Sequence, residues 1–491
     1  MTTDINTILQ SLTDFLVTPD KGWSLCTFPF LVAFVIFFAL YIAICKTRRS
    51  IAATYVVAFS LFFAWKANGI LMLLLPATTL FSWWATRRMM SKEHHRRLRL
   101  AAIIIVDLAP LVYFKYTNFL VSIFNEIVKS NFGPFEILLP VGISFYTFQA
   151  ISYSIDVYKG KYPPDTTLLD YAFYLTFFPL LMAGPITRAE VLLPQIKAGN
   201  SDKPGLAYKG LWLILIGLIK KGLIADYIAE YNNWIFDDPT GYSGFEDLMG
   251  VFGFTLQIYC DFSGYSDMAI GLAALMGYEL RDNFNFPYQS LNPQEFWRRW
   301  HIALSTWFRD YLYIPMGGNR RGLLRTYFNN FFTMIVAGLW HGASWMFIIW
   351  GAMHGVALVV HKICRRLFLD RVPNTIPVKV VSWTLMFIFI NISWIFFRAH
   401  DIPTALALMQ RIATDFSFDY FLPFVKARSL WLAVVALGLE LHSIRSEDYH
   451  WMQEKFIASP WIVKLFAFIV VLQLVISFRQ DSVQPFIYAQ F

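Results

Sequence analysis

The chain has 491 residues, of which 57% are hydrophobic and only 15% charged, and its formal net charge is +8. An average soluble domain carries about a quarter charged residues, so this composition excludes an ordinary soluble protein and predicts a polytopic membrane protein. The four cysteines, Cys26, Cys45, Cys260 and Cys364, lack metal-binding or redox spacing. We interpret them as structural thiols and predict no zinc site.

The first 24 residues are polar and lack a basic start, so they do not predict a cleavable signal peptide. Six apolar residues in this segment fall on one helical stripe: Ile5, Ile8, Leu9, Leu12, Phe15 and Leu16. This spacing predicts an amphipathic helix that lies on the membrane surface, with the lipid bilayer as its partner.

Apolar segments then recur along the whole chain, near 25–45, 51–65, 68–86, 100–118, 138–157, 168–184, 207–226, 247–275, 327–340, 343–360, 377–397, 428–442 and 460–478. Several are shorter than the roughly 20 residues that a full crossing needs. We therefore predict an all-α membrane protein of 11 to 13 helices, some of them short or re-entrant. With no internal repeat or long linker, residues 1–491 are predicted to form one integral membrane domain.

Three basic clusters lie between apolar segments, at 46–49, 87–99 and 361–366. By the positive-inside bias they predict cytoplasmic loops, with the N-terminus outside. The same bias explains the positive charge without a nucleic-acid site, so no nucleic-acid partner is predicted.

The segment Glu295–Tyr313 has a helical period and is predicted as one helix. One face carries the apolar residues Trp297, Trp300, Leu304, Trp307, Phe308 and Tyr311, while Arg298, Ser305 and Arg309 share the other face and His301 falls at the boundary. Two interpretations stay open. The segment is either an interfacial anchor with a neutral histidine, or a site where the arginines hold an anionic donor and His301 faces a cavity.

A second histidine, His341, ends the apolar run 331–340 and is followed by the small residues Gly342 and Ala343. An ionisable group in an intramembrane segment is costly, which makes His341 a functional candidate. The alternative is a structural histidine bonded to a backbone carbonyl. His354, thirteen residues further on, would not share a helical face with His341, which argues against a metal pair.

A third polar stretch, QIYCDFSGYSD at 257–267, interrupts an apolar span and predicts a wet, protein-lined cavity. Asp261 either orients a histidine or holds a structural network, and we favour the network. The sequence has no GxSxG elbow, phosphate-binding loop, dinucleotide fingerprint or HExxH motif, so a covalent serine-hydrolase mechanism has no support.

Several long motifs occur together in residues 140–355, which we define as the motif-bearing core. They are PVGISFYTFQAISYSIDVYKG at 140–160, FFPLLMAGPITR at 177–188, QIYCDFSGYSDMAIG at 257–271, NFNFPYQS at 283–290, EFWRRWHIALSTWFRDYLYIPMGGNR at 295–320 and GLWHGASWMFIIWGAMHG at 338–355. This ordered set resembles the membrane-bound O-acyltransferase family, and within it the bacterial branch of the alginate O-acetyltransferases.

The resemblance implies a ring of helices around a central catalytic channel, and it implies acyl transfer. In the WHG motif His341 is the implied catalytic residue, and His301 of the RWH motif lies in or near the same cavity. Arg298, Arg299 and Arg309 are candidates for binding the donor's phosphates, and Asp261 is kept with them as a substrate-binding candidate. The chain departs from the family pattern at Ala303 and Met316, where serine and leucine are usual, without losing a reactive group.

The predicted function is transfer of an acyl group, expected to be acetyl, from a cytoplasmic thioester donor towards hydroxyls of an extracytoplasmic polysaccharide or cell-wall polymer. The donor is acetyl-CoA or a carrier-linked acyl thioester, no bound cofactor is predicted, and a partner protein is expected to complete the transfer. The implied location is the bacterial inner membrane. A transporter or channel without catalysis, or a scaffold for a polymer synthase, would also explain the broken helices and the polar span.

Overall fold

The computed structural model describes residues 25–478 except positions 26, 47, 92–93, 200–202 and 204. All regular secondary structure in this part of the chain is helical, which confirms the predicted all-α class. The predicted amphipathic helix at 1–24 and Cys26 lie outside the described residues.

The described residues form twenty-one α-helices, separated by turns and by short 3-10 or π segments. They are α1 Phe28–Cys45, α2 Arg49–Asn68, α3 Leu74–Met90, α4 Arg96–Val128, α5 Ile143–Tyr158, α6 Leu168–Thr176, α7 Phe178–Leu181, α8 Ala189–Ala198, α9 Leu206–Leu218, α10 Asp226–Asp237, α11 Gly244–Leu275, α12 Pro293–Arg299, α13 Ile302–Phe308, α14 Leu323–His341, α15 Trp345–Leu367, α16 Ile376–Arg398, α17 Ile402–Thr414, α18 Phe421–Ala427, α19 Ser429–Ser443, α20 Ser446–Ala458 and α21 Trp461–Ser477.

Each predicted apolar span corresponds to one of these helices or to a broken pair of them. Most of the helices beyond the 11 to 13 predicted lie between those spans, such as α8 and α17. Among the described residues, three helical stretches are long and apolar enough to cross a membrane: 49–90, 345–367 and 376–398. Two bent pairs, 418–443 and 446–477, raise the number to five if each is counted as one span. Many large apolar side chains also face outward, such as Leu324 at 85% exposure. This surface suits lipid, and the multi-pass membrane prediction is confirmed.

The chain forms two compact units. The first contains residues 1–211 and 268–281, and the second contains residues 212–267 and 282–491. The single integral domain and its central channel remain predictions.

In the first unit an ion pair joins two helices near a predicted cytoplasmic loop. Arg49, the first residue of α2, binds the carboxylate of Asp170 in α6 and donates a hydrogen bond to the Ile196 carbonyl at 2.9 Å. The Asp170 side chain is only 5% exposed. One charge of the 46–49 cluster therefore has a structural partner in addition to its place in a basic loop.

The core of the second unit is aromatic. Trp300, Trp350 and Trp394 are fully buried. The ring centroid of Trp394 lies 5.0 Å from that of Trp300 and 6.0 Å from that of Trp350. Large rings bury much apolar surface and have few rotamers, so this core holds the helices that carry the candidate site in fixed positions.

Close packing of α14 against α15 depends on glycine. A Cβ atom at Gly338 would lie 2.2 Å from the Phe347 carbonyl oxygen, and one at Gly351 would lie 2.4 Å from the Met334 carbonyl oxygen. Gly351 and Gly355 also form a GxxxG spacing, which allows helix backbones to approach closely in membranes. The hairpin 323–367 is therefore tight, and it positions the end of α14 beside the first turns of α15.

Replacing Gly338 by alanine is expected to destabilise the protein by about 1–3 kcal/mol, because a backbone carbonyl cannot rotate away from the added methyl group. The thermal unfolding midpoint in detergent measures this effect. Gly133→Ala is the matched control, since a Cβ there meets no atom within 4 Å. Equal midpoints for the two variants would contradict the tight packing of α14 on α15.

Candidate active site

Helix α12 begins at a well-defined N-terminal cap. The Asn292 side chain accepts a hydrogen bond from the Glu295 backbone N–H at 2.9 Å, and the Glu295 carboxylate accepts one from the Leu291 N–H at 3.0 Å. Pro293 occupies the first turn, where its missing N–H costs nothing. The cap fixes where the helix that leads into the RWH motif begins.

The predicted single helix 295–313 is wrong, because the chain breaks at His301. Trp300 is extended and His301 has a left-handed backbone with φ +42°, so α12 ends at Arg299 and α13 begins at Ile302. A π segment, Arg309–Tyr313, follows α13. The prediction that Arg298 and Arg309 share one face of a continuous helix is therefore also wrong.

Hydrogen bonds from the preceding loop hold this break. The Asn285 N–H donates to the Arg299 carbonyl at 2.9 Å, and the Ile302 N–H donates to the Asn283 carbonyl at 2.9 Å. These two bonds flank His301, so the backbone groups freed by the broken helix find partners in the loop.

The His301 side chain is fully buried. Its Nδ1 atom lies 3.2 Å from Oδ1 of Asn283, and its ring packs edge-on against Phe262 at 4.6 Å between centroids. The ring also contacts Trp340 at 6.0 Å. The histidine thus lies among aromatic rings, and its contact with Asn283 fixes the rotation of the ring.

His341, the last residue of α14, is 2% exposed and also lies among aromatic rings. Its centroid is 5.0 Å from Trp340, 5.0 Å from Trp350 and 5.4 Å from Phe397. The next residue, Gly342, has no room for a side chain, because a Cβ atom there would lie 1.9 Å from a ring carbon of Phe347. Trp340 contacts both His301 and His341, and so the structure brings the two predicted histidines to the same indole.

A further histidine that the sequence argument considered only as a metal ligand belongs to the same aromatic cluster. His354 is fully buried, and neither of its ring nitrogens has a hydrogen-bond partner among the described residues. Its centroid lies 4.7 Å from Trp350, the ring that also contacts His341. The sequence feature that could have pointed to His354 is its position between Gly351 and Gly355, the two glycines of the GxxxG spacing in α15. Over the described part of the chain, no group of three or more His, Cys, Asp or Glu side chains is placed to hold a metal ion.

The three arginines have different surroundings. Arg299 is tied to Glu295 by an ion pair of 2.9 Å and donates to the Asn285 carbonyl at 3.3 Å. Arg309 pairs with the neighbouring Asp310 at 2.8 Å while its side chain stays 59% exposed. Arg298 is exposed. Arg299 therefore supports the loop beside His301, and Arg298 and Arg309 are the more accessible candidates for binding phosphate.

Arg298→Gln and Arg309→Gln are each expected to raise the donor KM without lowering thermal stability in detergent. Loss of one hydrogen bond to a charged group weakens binding by about 1.5–3 kcal/mol. Arg371→Gln is the control, because this arginine is also exposed and lies outside the RWH segment. An unchanged donor KM together with lower stability or insertion would instead assign Arg298 and Arg309 to lipid anchoring.

Asp261 lies in a buried charge network. Lys221 binds both Asp261 and Asp226, the latter at 2.7 Å, and the adjacent Lys220 binds Asp267 at 2.7 Å. Both lysines lie in the π segment Ile219–Ala225, between α9 and α10. This geometry supports the structural alternative for Asp261.

Sequence reasoning missed the two lysines. The signal was present, since two adjacent cations inside the apolar run 211–225 need two anions, and α11 carries Asp261 and Asp267. π segments are rare and occur frequently at functional sites.

Together these observations define a multi-pass, all-helical membrane protein with two buried histidines in contact with one tryptophan. Residues 164–397 match the profile of the membrane-bound O-acyltransferase family. Over these residues the chain is similar to that family, and within it to the branch of the alginate O-acetylases.

Three relatives illustrate that branch. Over 322 aligned residues the chain is 45% identical to a probable alginate O-acetylase of Azotobacter vinelandii. The aligned region covers 64% of this chain and 62% of the relative. It is 40% identical over 335 residues to a peptidoglycan O-acetyltransferase of Helicobacter pylori, and this alignment covers 62% of the chain and 63% of the relative. A teichoic acid D-alanyltransferase of Bacillus subtilis is 28% identical over 240 residues, and this alignment covers 47% of the chain and 60% of the relative. The chain thus spans less than two thirds of the length of these curated relatives.

Proposed function

We propose that this protein is an acyltransferase that moves an acyl group, expected to be acetyl, from a thioester donor towards hydroxyl groups of an extracytoplasmic polymer. The observation that carries the proposal is the meeting of His301 and His341 at Trp340 inside an aromatic core. The relatives named above act on alginate, peptidoglycan and teichoic acid, which supports a carbohydrate-containing polymer as the acceptor class.

In the proposed reaction the hydroxyl oxygen attacks the thioester carbonyl carbon. A C–O bond forms, the C–S bond breaks, and the hydroxyl proton passes through His341 to the departing thiolate. A neutral imidazole is suited to this task because its ordinary pKa lies near neutral pH. The surrounding rings of Trp340, Trp350 and Phe397 keep water away from the thioester, so hydrolysis is suppressed.

The donor is proposed to be acetyl-CoA or a carrier-linked acyl thioester that enters from the cytoplasm. The exposed guanidinium groups of Arg298 and Arg309 suit its phosphates, because arginine binds phosphate oxygens in pairs. We further propose that a partner protein on the other side of the membrane accepts the acyl group and completes transfer to the polymer.

A transporter or channel is the second candidate function, since the partly buried Lys220–Asp267 pair and the buried Lys221–Asp261 pair are of a kind found along ion pathways. One experiment separates the two. Purified protein in proteoliposomes is supplied with acetyl-CoA and a soluble carbohydrate acceptor, and release of free CoA is followed. Thioester consumption that His341→Gln abolishes supports acyl transfer. Passage of solute without thioester consumption would support transport.

The side from which the donor enters is tested by topology. Arg48→Cys in a cysteine-free background is expected to resist an impermeant thiol reagent in intact cells and to react after permeabilisation, because the 46–49 cluster is predicted to be cytoplasmic. Ile444→Cys, in the loop between α19 and α20, provides a second position for comparison. Labelling of residue 48 in intact cells would reverse the predicted orientation and place donor entry on the outside.

A further inference from the structure

We propose that Asn283 is a positioning residue that fixes the tautomer of His301 and thereby decides what this histidine does in the reaction. The inference deepens the proposed function and rests on it, because it concerns one of the two histidines of the same site. Asn283 is 1% exposed and His301 is fully buried, so neither side chain relies on bulk water for its hydrogen bonds.

The orientation of the Asn283 amide follows from its backbone neighbour. The Ala303 N–H donates to Oδ1 of Asn283 at 3.1 Å. A backbone N–H can only donate, so the atom that it meets must be the carbonyl oxygen of the amide rather than the nitrogen. The amide nitrogen Nδ2 then points to Oγ of Ser266 at 3.0 Å, and a hydroxyl oxygen can accept that hydrogen bond.

The same oxygen faces the histidine. Oδ1 of Asn283 lies 3.2 Å from Nδ1 of His301. Because Oδ1 has no proton to give, Nδ1 must carry the hydrogen of the neutral imidazole. The lone pair is therefore on Nε2, on the other side of the ring.

This tautomer selects a role for His301. A neutral imidazole with a lone pair on Nε2 can accept a hydrogen bond from a hydroxyl group of the acyl acceptor. It cannot donate from Nε2 to the oxyanion that forms as the thioester is attacked. Because the attacking hydroxyl gives its only proton to His341, we assign His301 to holding the acceptor through a second, neighbouring hydroxyl group, and we leave stabilisation of the oxyanion to other donors.

The loop gives Asn283 the rigidity that this role needs. Its own carbonyl accepts the Ile302 N–H at 2.9 Å, so the residue is bound through both backbone and side chain to the turn that contains His301. Ser266, which holds the far end of the amide, lies on α11 and is 1% exposed. The backbone hydrogen bond to Ile302, the amide contacts and the position of Ser266 on α11 together hold the His301 ring in one orientation.

On the elements around His301 the charged side chains are Glu246, Asp247, Asp261 and Asp267 on α11, Glu295, Arg298 and Arg299 on α12, and Arg281 and Asp282 in the loop before Asn283; α14 carries Arg325 near its start and ends in the titratable His341. Asp261 and Asp267 are each paired with a lysine, and Glu295 is paired with Arg299. A new carboxylate at position 283 would therefore be the nearest added charge to Nδ1, and its effect on titration can be attributed to this contact.

Asn283→Asp tests the proposal. The aspartate keeps an oxygen for Ala303 and for Nδ1, but its negative charge favours the imidazolium form. The acidic limb of the kcat/KM profile is expected to move to higher pH by about one to three units, the usual size for an opposite charge in contact. The activity should recover as the pH is raised, which a merely structural defect would not do.

Asn283→Leu is the second variant, because leucine has a similar volume but no acceptor for Nδ1. Its kcat is expected to fall by about ten- to a hundred-fold, the loss found when a group that orients a histidine is removed, while the donor KM changes little. Asn391→Leu is the matched control. Asn391 is also a buried amide in the same unit, and its Oδ1 accepts a hydrogen bond from Thr255 at 2.8 Å. This control should lower thermal stability without moving the pH profile.

The outcomes separate this inference from the proposed function. No thioester consumption by the wild-type protein would contradict the proposed function itself. Full activity of His301→Asn would leave that function standing but remove His301 from the reaction, and with it the role of Asn283. If His301→Asn is inactive while Asn283→Asp keeps the wild-type pH profile, the proposed function stands and the role of Asn283 is wrong. If Asn283→Leu does not accumulate, the pH profile of Asn283→Asp alone tests the role of Asn283.

Discussion

Replacing His341 by glutamine is expected to lower kcat for acyl transfer by about 10²–10⁴-fold, the usual contribution of a general base. Glutamine has nearly the same length and remains polar, so the contacts with Trp340, Trp350 and Phe397 are largely kept. The measurement is CoA release by purified protein at saturating donor, with the thermal unfolding midpoint recorded for the same preparation.

His400→Gln is the matched control for this experiment. Its imidazole is 69% exposed and lies just after α16, where it contacts Asp237. This variant should keep wild-type kcat. A His341→Gln protein that retains near wild-type turnover would remove the catalytic assignment, and a normal unfolding midpoint with lost turnover would support it.

The second large effect is expected on stability. Lys221→Met should destabilise the protein by about 3–5 kcal/mol, because it leaves the buried carboxylate of Asp261 without its cation. The Lys221 side chain is 1% exposed and that of Asp261 is 5% exposed, so water cannot replace the lost partner. Asp261→Asn should cost less, since Lys221 still binds Asp226 at 2.7 Å.

Lys203→Met provides the contrast. Lys203 and Glu279 form an ion pair of 2.7 Å whose side chains are 45% and 53% exposed. Exposed pairs contribute about 0–1 kcal/mol, so this variant should unfold close to the wild-type temperature. Equal midpoints for Lys203→Met and Lys221→Met would show that the Lys221 network does not hold the second unit together.

Much of the fold was predictable because apolar length is a strong signal in a membrane protein. The span expected at 247–275 is the helix Gly244–Leu275, and the spans at 343–360 and 377–397 are Trp345–Leu367 and Ile376–Arg398. What the pattern did not reveal was where helices break. The RWH segment keeps a helical period through His301, yet tertiary hydrogen bonds from residues 283 and 285 override that local preference.

The candidate site was predicted in part for the same reason. The two histidines stood out as ionisable groups in apolar surroundings, and the structure places both beside Trp340. Their roles remain predictions. The sequence did not indicate a role for Asn283, because asparagine is common in polar loops and Asn283 lies eighteen positions from His301 in the chain. The charge network was missed since Lys221 and Asp261 are forty residues apart.

The left-handed backbone at His301 has a consequence for any saturation library at this position. Residues other than glycine, asparagine and aspartate lose roughly 1–2 kcal/mol in this conformation. Selection for protein abundance should therefore enrich glycine and asparagine at position 301 and deplete valine and isoleucine. Selection for the proposed acyl transfer should instead recover histidine. The difference between the two rankings measures how much stability the protein gives up to keep an imidazole at the turn.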